Sequence, residues 1–306
     1  MDFGLPRLAL AGGLLFAGCG CAFADETLRY TWQGIERKAI LHVPEGVAGQ
    51  AAPLVIVMYG SDDKAANFQK NSGFDAVADR EHFVTLYPEG IDGAWGLSGR
   101  RPLVNGVPVD DVGFFGTVMD DLAQRGIVDP KRVYATGFSL GALMTYTLAC
   151  AMPDRIAAIA PVSSGINEAQ LENCKPGHPM PVMMVNGTSD SVQFYDGYIR
   201  SFGRLLSVPE TLEYWRRADG CTGESGKPLA HLNAHDLTRA SLVEWSGCAA
   251  NTGVQLYRIE NGGHCWPRLA KPGQEEAADG PRFGGCSNDI ETPAEVWNFF
   301  KGFSRR

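Results

Sequence analysis

The sequence predicts one α/β domain in which a mostly parallel central sheet carries helices on both faces. Strand-like apolar runs alternate with helix-like segments along the chain, as they do when crossover helices join parallel strands. The runs 53–59 and 83–87 are continuously apolar, which is typical of strands buried on both faces of such a sheet. With 306 residues, the chain is long enough for one domain of this kind with a large core.

The elements begin with a hairpin, because residues 27–32 and 38–43 alternate in polarity about Gln33-Gly34. Apolar residues at helical spacing predict a helix over 111–124, which Gly126 closes. The remaining predicted strands are 53–59, 83–87, 132–136, 156–162, 182–185 and 254–259, and the remaining helices are 74–80, 142–149 and 293–303. Ligands bind beyond the carboxyl ends of such strands, so we expect the irregular stretches to wall a substrate cleft: 90–108, 191–208 and 221–248.

Residues 1–24 have the pattern of a signal peptide. Arg7 precedes the apolar stretch 8–21, and Ala22-Phe23-Ala24 forms an A-x-A cleavage site. The stretch is too short and too rich in glycine for a membrane span. The alternative is a lipoprotein signal in which Cys19 carries the lipid. Both readings predict a secreted or periplasmic protein whose single catalytic domain covers residues 25–306.

Six cysteines follow the predicted signal peptide, and an even number in an exported chain predicts three disulfides. Many pairings are possible. We expect the nearest-neighbour one, because each neighbouring pair brackets one loop: Cys150 with Cys174, Cys221 with Cys248, and Cys265 with Cys286. No C-x-x-C spacing indicates zinc, and we expect neither a metal nor a cofactor. The formal net charge of −8 argues against nucleic acid and anionic membrane surfaces as partners.

Residues 137–141 read Gly-Phe-Ser-Leu-Gly and lie between a predicted strand and a predicted helix. A G-x-S-x-G motif at such a corner is the nucleophile elbow of the α/β-hydrolase fold. Small residues on both sides of the serine let the chain turn sharply and expose the hydroxyl at the carboxyl end of the sheet. The motif therefore predicts an α/β-hydrolase in which Ser139 is the nucleophile.

A serine nucleophile needs a histidine base and an acid that orients it, and in this fold they follow the serine in the order acid, then base. Asp190 comes shortly after the strand 182–185, and Asp196 is the alternative acid. His264 follows the strand 254–259 in a glycine-rich loop. The other histidines lie in or before early strands or in polar loops, so His264 is the predicted base.

Attack of the serine on a carbonyl carbon forms a tetrahedral intermediate with a negatively charged oxygen, the oxyanion. Two backbone N–H groups must stabilise it. We expect one from Leu140, which follows the nucleophile, and the other from Ser61, in the loop that follows the strand 53–59. Ser163 and Ser164 also follow a predicted strand but lack the flanking elbow glycines, and we expect them to line the cleft.

Several motifs, in order along the chain, resemble the secreted polyhydroxybutyrate depolymerase and feruloyl esterase group of α/β-hydrolases. They are the elbow with Leu148-Ala149-Cys150, the segments 110–114 and 186–190, and Gly262-Gly263-His264-Cys265-Trp266-Pro267. The resemblance extends from about Leu28 to the C-terminal helix. It implies an esterase that acts on a polyester or on hydroxycinnamoyl or acetyl groups of plant polysaccharide, with the group's nucleophile, acid and base at Ser139, Asp190 and His264. The group also tends to have cysteines where this chain has Cys221 and Cys248.

The chain departs from this group near the elbow. Tyr59-Gly60 stands where His-Gly is usual, and Leu140 and Ala142 stand where small residues are usual. These changes affect the expected substrate size more than the expected chemistry. We name Trp95, Tyr195 and Trp266 as candidate platforms for a feruloyl ring or a sugar, and Tyr59 as a further candidate substrate contact.

The sequence thus predicts a secreted serine esterase that hydrolyses carboxylic esters, through an acyl-enzyme, with a polymeric or aromatic substrate. A serine peptidase on the same fold is the alternative enzyme. The alternative from another class is a non-catalytic polymer-binding protein that retains a relic of the fold.

Overall fold

The computed structural model describes residues 25–47, 49–97, 102–174, 176–200, 203–269 and 284–305. The predicted signal peptide, with Cys19, lies outside these residues. The strands are β1 (Glu26–Trp32), β2 (Ile35–His42), β3 (Ala52–Met58), β4 (Val84–Pro88), β5 (Leu103–Val104), β6 (Val107–Pro108), β7 (Val128–Phe138), β8 (Ala158–Val162), β9 (Val182–Gly187), β10 (Tyr198–Arg200), β11 (Gly203–Leu205), β12 (Gly223–Pro228), β13 (Arg239–Ser246) and β14 (Val254–Glu260). The helices are α1 (Ala65–Ser72), α2 (Phe74–Glu81), α3 (Asp111–Gln124), α4 (Leu140–Ala151), α5 (Glu168–Glu172), α6 (Val208–Ala218) and α7 (Thr292–Phe300).

Ten of these strands form one sheet in the order β1-β2-β4-β3-β7-β8-β9-β14-β13-β12. The strands from β4 to β14 in this order run parallel, whereas β1 and β2 at one edge and β13 and β12 at the other are antiparallel. This is the predicted α/β-hydrolase architecture. The parallel strands end together at one edge, so the loops that follow them meet there.

The core explains why the central strands read as continuous apolar runs. All residues of β3, β4, β8 and β9 are buried. Helix α4 is also buried over most of its length, because it packs between the sheet and the other helices. Residues 137–141 lie at the junction of β7 and α4, so the elbow is held by two of the most buried elements of the domain.

At the β12 edge of the sheet the structure differs from the sequence-based expectation. Residues 221–248 are not an irregular cleft wall: β12 and β13 form an antiparallel hairpin that extends the sheet beyond β14. In β13 buried residues alternate with more exposed ones, as expected for a strand with one covered face.

Helix α6, which the apolar pattern did not indicate, begins with a capping box between Ser207 and Glu210.

Three disulfides hold loops around this sheet. They join Cys150 to Cys174, Cys221 to Cys248, and Cys265 to Cys286, which confirms the nearest-neighbour pairing. The last of these fixes the loop that carries His264. Within the described ranges no helix combines the length and the apolar character that crossing a bilayer requires.

Candidate active site

The elbow holds Ser139 in a backbone conformation that few residues adopt. Its φ is 55° and its ψ is −113°, and the residue is 6% exposed. A Cβ atom at Gly141 would lie 2.3 Å from the Met58 carbonyl oxygen, so only glycine lets the start of α4 pass this close to β3. The strained turn is maintained by the buried elements on both sides, and strain of this kind is typical of functional sites.

Three polar side chains form a continuous hydrogen-bonded series at the carboxyl edge of the sheet. Ser139 Oγ lies 2.9 Å from His264 Nε2, and His264 Nδ1 lies 2.8 Å from Asp190 Oδ2. Each group comes from the loop or turn after a different parallel strand: β7, β9 and β14. The structure therefore brings together the three residues that the sequence pattern selected, whereas the alternative acid Asp196 is exposed on the surface.

The acid is fixed by contacts of its own. Asp190 Oδ1 accepts hydrogen bonds of 2.8 Å from the backbone N–H groups of Val192 and Gln193. These donors leave Oδ2 directed at His264, so the carboxylate can orient the imidazole and stabilise it when it carries a proton. The ring of Phe138 packs against the ring of His264, with 4.7 Å between the centroids.

The histidine loop is tied to neighbouring segments at several points. The N–H of Ser189 donates to the Gly262 carbonyl at 2.8 Å, and the N–H of Gly263 donates to the Gly285 carbonyl at 2.8 Å. Ser163 Oγ donates to the Cys265 carbonyl at 2.8 Å. Ser163 and Ser164 are 2% and 0% exposed, so the expectation that they line the cleft is wrong. Both hydroxyls donate hydrogen bonds to backbone carbonyls of the protein.

The loop after β3 lies directly against the nucleophile. A Cβ atom at Gly60 would be 3.3 Å from the Ser139 Cβ, and Ser61 lines the same cavities as Ser139. No hydrogen bond within the described parts of the chain uses the backbone N–H of Ser61 or Leu140. This is compatible with the role expected for the two N–H groups, donation to the oxyanion, which stays a prediction.

Tyr59 and Trp95 support this loop from inside the core. The indole Nε1 of Trp95 donates to the Tyr59 carbonyl at 3.0 Å, and the Tyr59 hydroxyl accepts from the Gly90 N–H at 2.7 Å. Burial raises the pKa of the Tyr59 phenol, with a further contribution from the negative charge of Glu89, so the hydroxyl stays protonated. These contacts fix the peptide that precedes Gly60.

The aromatic side chains named from the sequence divide into two groups. Tyr59 and Trp95 are 0% and 1% exposed, so neither offers a surface to a substrate, and the expectation for these two is corrected. Tyr195 is half-buried beside Arg258 and lines neither of the cavities at Ser139. Trp266 alone of the four lines a cavity beside Ser139, held by a 3.1 Å hydrogen bond from its Nε1 to the Ser72 carbonyl.

Two cavities meet at the nucleophile. The histidine-side cavity has a volume of about 680 Å³, and its lining includes Asp62, Asp63, Phe68, Phe138, His264 and Trp266. The leucine-side cavity has a volume of about 180 Å³, and its lining includes Leu97, Leu140, Leu143, Tyr198, Arg200 and Leu205. Ser139, Ser61 and Val192 line both. Of the stretches expected to wall the cleft, 90–108 and 191–208 contribute residues, and 221–248 contributes none within the described ranges.

One cluster outside this site has the composition of a metal site. Asp25, His42 and Asp75 place one potential ligand atom each within 4.8 Å of one another. Their atoms are, however, engaged with protein partners, because His42 Nδ1 bonds to Asp25 at 2.8 Å and Asp75 Oδ1 accepts from the hydroxyls of Thr85 and Tyr87. We interpret the cluster as a hydrogen-bonded anchor for β2 and α2.

Comparison of the sequence with known proteins places this chain among esterases. The profile of the family "Esterase PHB depolymerase" matches residues 38–209. The putative esterase NocK of Nocardia uniformis subsp. tsuyamanensis is 30% identical over 252 residues, which are 76% of this chain and 72% of that protein. Feruloyl esterase B of Piromyces equi is 29% identical over 238 residues, 74% of this chain but only 42% of that protein.

Solved structures show the same fold at low identity. The acetyl xylan esterase of Aspergillus awamori superposes with a TM-score of 0.55 and 16% identity, over 76% of this chain and 92% of that one. This similarity supports the α/β-hydrolase architecture and says nothing by itself about the substrate.

Proposed function

Because this chain belongs to the family of PHB depolymerase esterases, we propose that it is a serine hydrolase that cleaves carboxylic esters through an acyl-enzyme. The observation that carries the proposal is the series Ser139–His264–Asp190, with distances of 2.9 Å and 2.8 Å, at the strained turn between β7 and α4. A nucleophile, a base and an orienting acid at hydrogen-bond distance are the arrangement that acyl transfer requires.

Each group has one task in the proposed reaction. Ser139 Oγ attacks the ester carbonyl carbon while His264 Nε2 takes the hydroxyl proton, and Asp190 holds the imidazole by its Nδ1–H. The N–H groups of Ser61 and Leu140 donate to the oxyanion of the tetrahedral intermediate, each contributing about 3 kcal/mol of transition-state stabilisation. His264 then gives its proton to the leaving alcohol. Water repeats the attack, with His264 again as the base, and frees the acid.

The substrate that we propose is an ester of a polymer, either a polyhydroxyalkanoate polyester or the feruloyl or acetyl groups of plant polysaccharide. The family description, the feruloyl esterase relative and the position of Trp266 in the histidine-side cavity support this choice. The three disulfides support export, since such bonds persist in oxidising compartments.

Turnover of a p-nitrophenyl butyrate ester by Ser139→Ala tests the mechanism. We expect kcat to fall by about 10⁴-fold or more, because the nucleophile is lost. Ser246→Ala, on the distant strand β13, is the control and should keep full activity. Full activity of Ser139→Ala would overturn the proposal, and faster cleavage of a matching amide than of the ester would favour a peptidase.

The polymer is then identified with three substrates assayed in parallel. Release of ferulate from methyl ferulate, of acetate from acetylated xylan and of hydroxyacid from a short-chain polyhydroxyalkanoate distinguishes the candidates. Release from none of the three, together with turnover of the p-nitrophenyl ester, would contradict the polymer assignment and leave the esterase assignment intact.

A further inference from the structure

The two cavities can be assigned to the two halves of an ester by the geometry of the reaction. The carbon bonded to Ser139 Oγ in the tetrahedral intermediate carries the oxyanion, the leaving oxygen and the acyl chain. The leaving oxygen must lie beside His264, which protonates it, and the oxyanion must lie beside the N–H groups of Ser61 and Leu140. The acyl chain extends away from His264, into the space next to the oxyanion.

The linings match this division. His264 lines the histidine-side cavity and does not line the leucine-side cavity. Leu140, which is expected to bind the oxyanion, lines only the leucine-side cavity. The leaving alcohol therefore belongs in the histidine-side cavity, and the acyl group extends into the leucine-side cavity.

The size of the leucine-side cavity restricts the acyl group. At about 180 Å³ it is comparable to an engineered cavity of roughly 150 Å³ that holds one benzene molecule. An acyl chain of about five or six heavy atoms fits, and a long fatty acyl chain does not. Among the substrates proposed above, this size favours acetyl groups and short hydroxyacyl units over the larger feruloyl group. The histidine-side cavity, at about 680 Å³, has the size usual for larger ligands and admits an extended alcohol.

The charges of the two cavities are opposite. Asp62 and Asp63 line the histidine-side cavity, so it disfavours an anionic group. Among the described residues of the leucine-side cavity, Arg200 is the only charged side chain. An acyl group that bears a negative charge is thus attracted into the leucine-side cavity and repelled from the histidine-side cavity. This difference in charge orients the ester.

Arg200 is placed to receive such a group. Its guanidinium carbon lies 4.2 Å from the centroid of the Tyr198 ring, and Tyr198 is held in turn by a 2.8 Å hydrogen bond from its hydroxyl to Gln193 Oε1. In the described part of the chain Arg200 forms no ion pair, whereas Arg204, on the paired strand of the same hairpin, is bound to Glu210 and Glu168. The guanidinium of Arg200 therefore has donors left for a carboxylate.

We propose that, among short acyl groups that fit the leucine-side cavity, the esterase prefers those that end in a carboxylate, as in half-esters of small dicarboxylic acids, and that Arg200 determines this preference. The proposal rests on the serine esterase function proposed above. The reaction balances as an ordinary hydrolysis: the bond from the acyl carbon to the alcohol oxygen breaks, a bond to a water oxygen replaces it, and the products are the dicarboxylate and the alcohol.

A matched pair of esters tests the preference. Monoethyl glutarate ends in a carboxylate, and ethyl 4-carbamoylbutanoate has the same shape but ends in a neutral amide. We expect the wild-type enzyme to have a kcat/KM about three- to tenfold higher for the carboxylate ester, because the pair with Arg200 is partly solvated. The ratio should fall as salt is added, since exposed charge pairs are screened.

Variants of the hairpin provide the controls. Arg200→Gln should bring the ratio of kcat/KM for the carboxylate ester to kcat/KM for the carbamoyl ester to about one, and Arg200→Lys should keep part of the preference. Arg204→Gln removes an equal charge nearby and should leave the ratio unchanged. A wild-type ratio of one or below, an unchanged ratio in Arg200→Gln, or an equal loss in Arg204→Gln would overturn the proposal.

The same measurements separate the proposal from the function on which it rests. Hydrolysis of the neutral ester that depends on Ser139 but shows no charge preference would overturn the assignment of Arg200 alone. Failure of the wild-type protein to hydrolyse any ester would overturn both.

Discussion

Removing the hydroxyl of Ser163 tests how the histidine loop is held. Ser163 follows β8, is 2% exposed and has a φ of 54°. Its Oγ donates to the Cys265 carbonyl at 2.8 Å, one residue beyond the proposed base His264. Ser163→Ala deletes this bond but keeps a Cβ at the same positive φ, so the backbone strain is unchanged and only the hydrogen bond is lost.

The size of the effect follows from the burial of the bond. Leaving the Cys265 carbonyl without its donor costs about 1–3 kcal/mol. If about half of this cost, about 0.5–1.5 kcal/mol, is felt when His264 is positioned in the transition state, kcat falls by about two- to tenfold. KM should change little, because Ser163 lines neither cavity at Ser139 within the described residues. Steady-state kinetics with p-nitrophenyl butyrate and urea unfolding measure the two effects separately.

Ser164→Ala is the matched control. Ser164 is also buried, and its Oγ donates to the Gly165 carbonyl at 2.8 Å, away from the histidine loop. We expect a similar loss of stability in this variant with kcat unchanged. The positioning role of Ser163 would be refuted if kcat were unchanged in Ser163→Ala. It would also be refuted if kcat fell in Ser164→Ala as much as in Ser163→Ala.

Three further predictions concern other parts of the site and the core. Asp190→Asn should lower kcat by about 10³- to 10⁴-fold with an unchanged circular dichroism spectrum, because His264 loses the carboxylate that orients it; wild-type kinetics would exclude Asp190 as the acid. Trp95→Phe removes the donor to the Tyr59 carbonyl, so stopped-flow acylation should slow by about tenfold; an unchanged rate would show that the loop at Ser61 needs no such support. Burial raises the pKa of Asp219 from 3.8 to about 6, so the wild-type protein should lose stability relative to Asp219→Asn as the pH rises from about 4 to about 7, by ~3 kcal/mol in urea unfolding; parallel stability curves for the two proteins would contradict this.

Much of the fold could be predicted because its parallel strands are buried on both faces. Continuous apolar runs as short as β3 and β4 are typical of strands buried on both faces, and apolar residues at helical spacing indicate α3. The hairpin of β12 and β13 was missed because β12 is mostly exposed and polar, so pairing with β13, and not local pattern, makes it a strand. For α6 a signal was present: Ser207 and Glu210 form a capping box, which the apolar pattern alone does not reveal.

The candidate site was easier to predict than the surfaces around it. Ser139, Asp190 and His264 could be selected because chain order and strand ends restrict where each partner can lie. The aromatic platforms could not be chosen in this way, since an aromatic residue near the cleft can equally pack in the core. Trp95 and Trp266 have no sequence feature that tells them apart. Trp95 is buried under the loop at Ser61, whereas Trp266 lines the histidine-side cavity. Arg200 has no sequence signal, because its role depends on which neighbouring charges lack partners after folding.

Trapping with a fluorophosphonate tests whether Ser139 becomes covalently acylated, as the proposed mechanism requires. A fluorophosphonate reacts with a serine that an adjacent base activates, and peptide mapping by mass spectrometry locates the adduct. We expect one adduct per chain, on the peptide that contains residues 137–141, and we expect it to be absent in Ser139→Ala and nearly absent in His264→Ala. No adduct on the wild-type protein, or an adduct at another residue that persists in Ser139→Ala, would contradict the proposed mechanism.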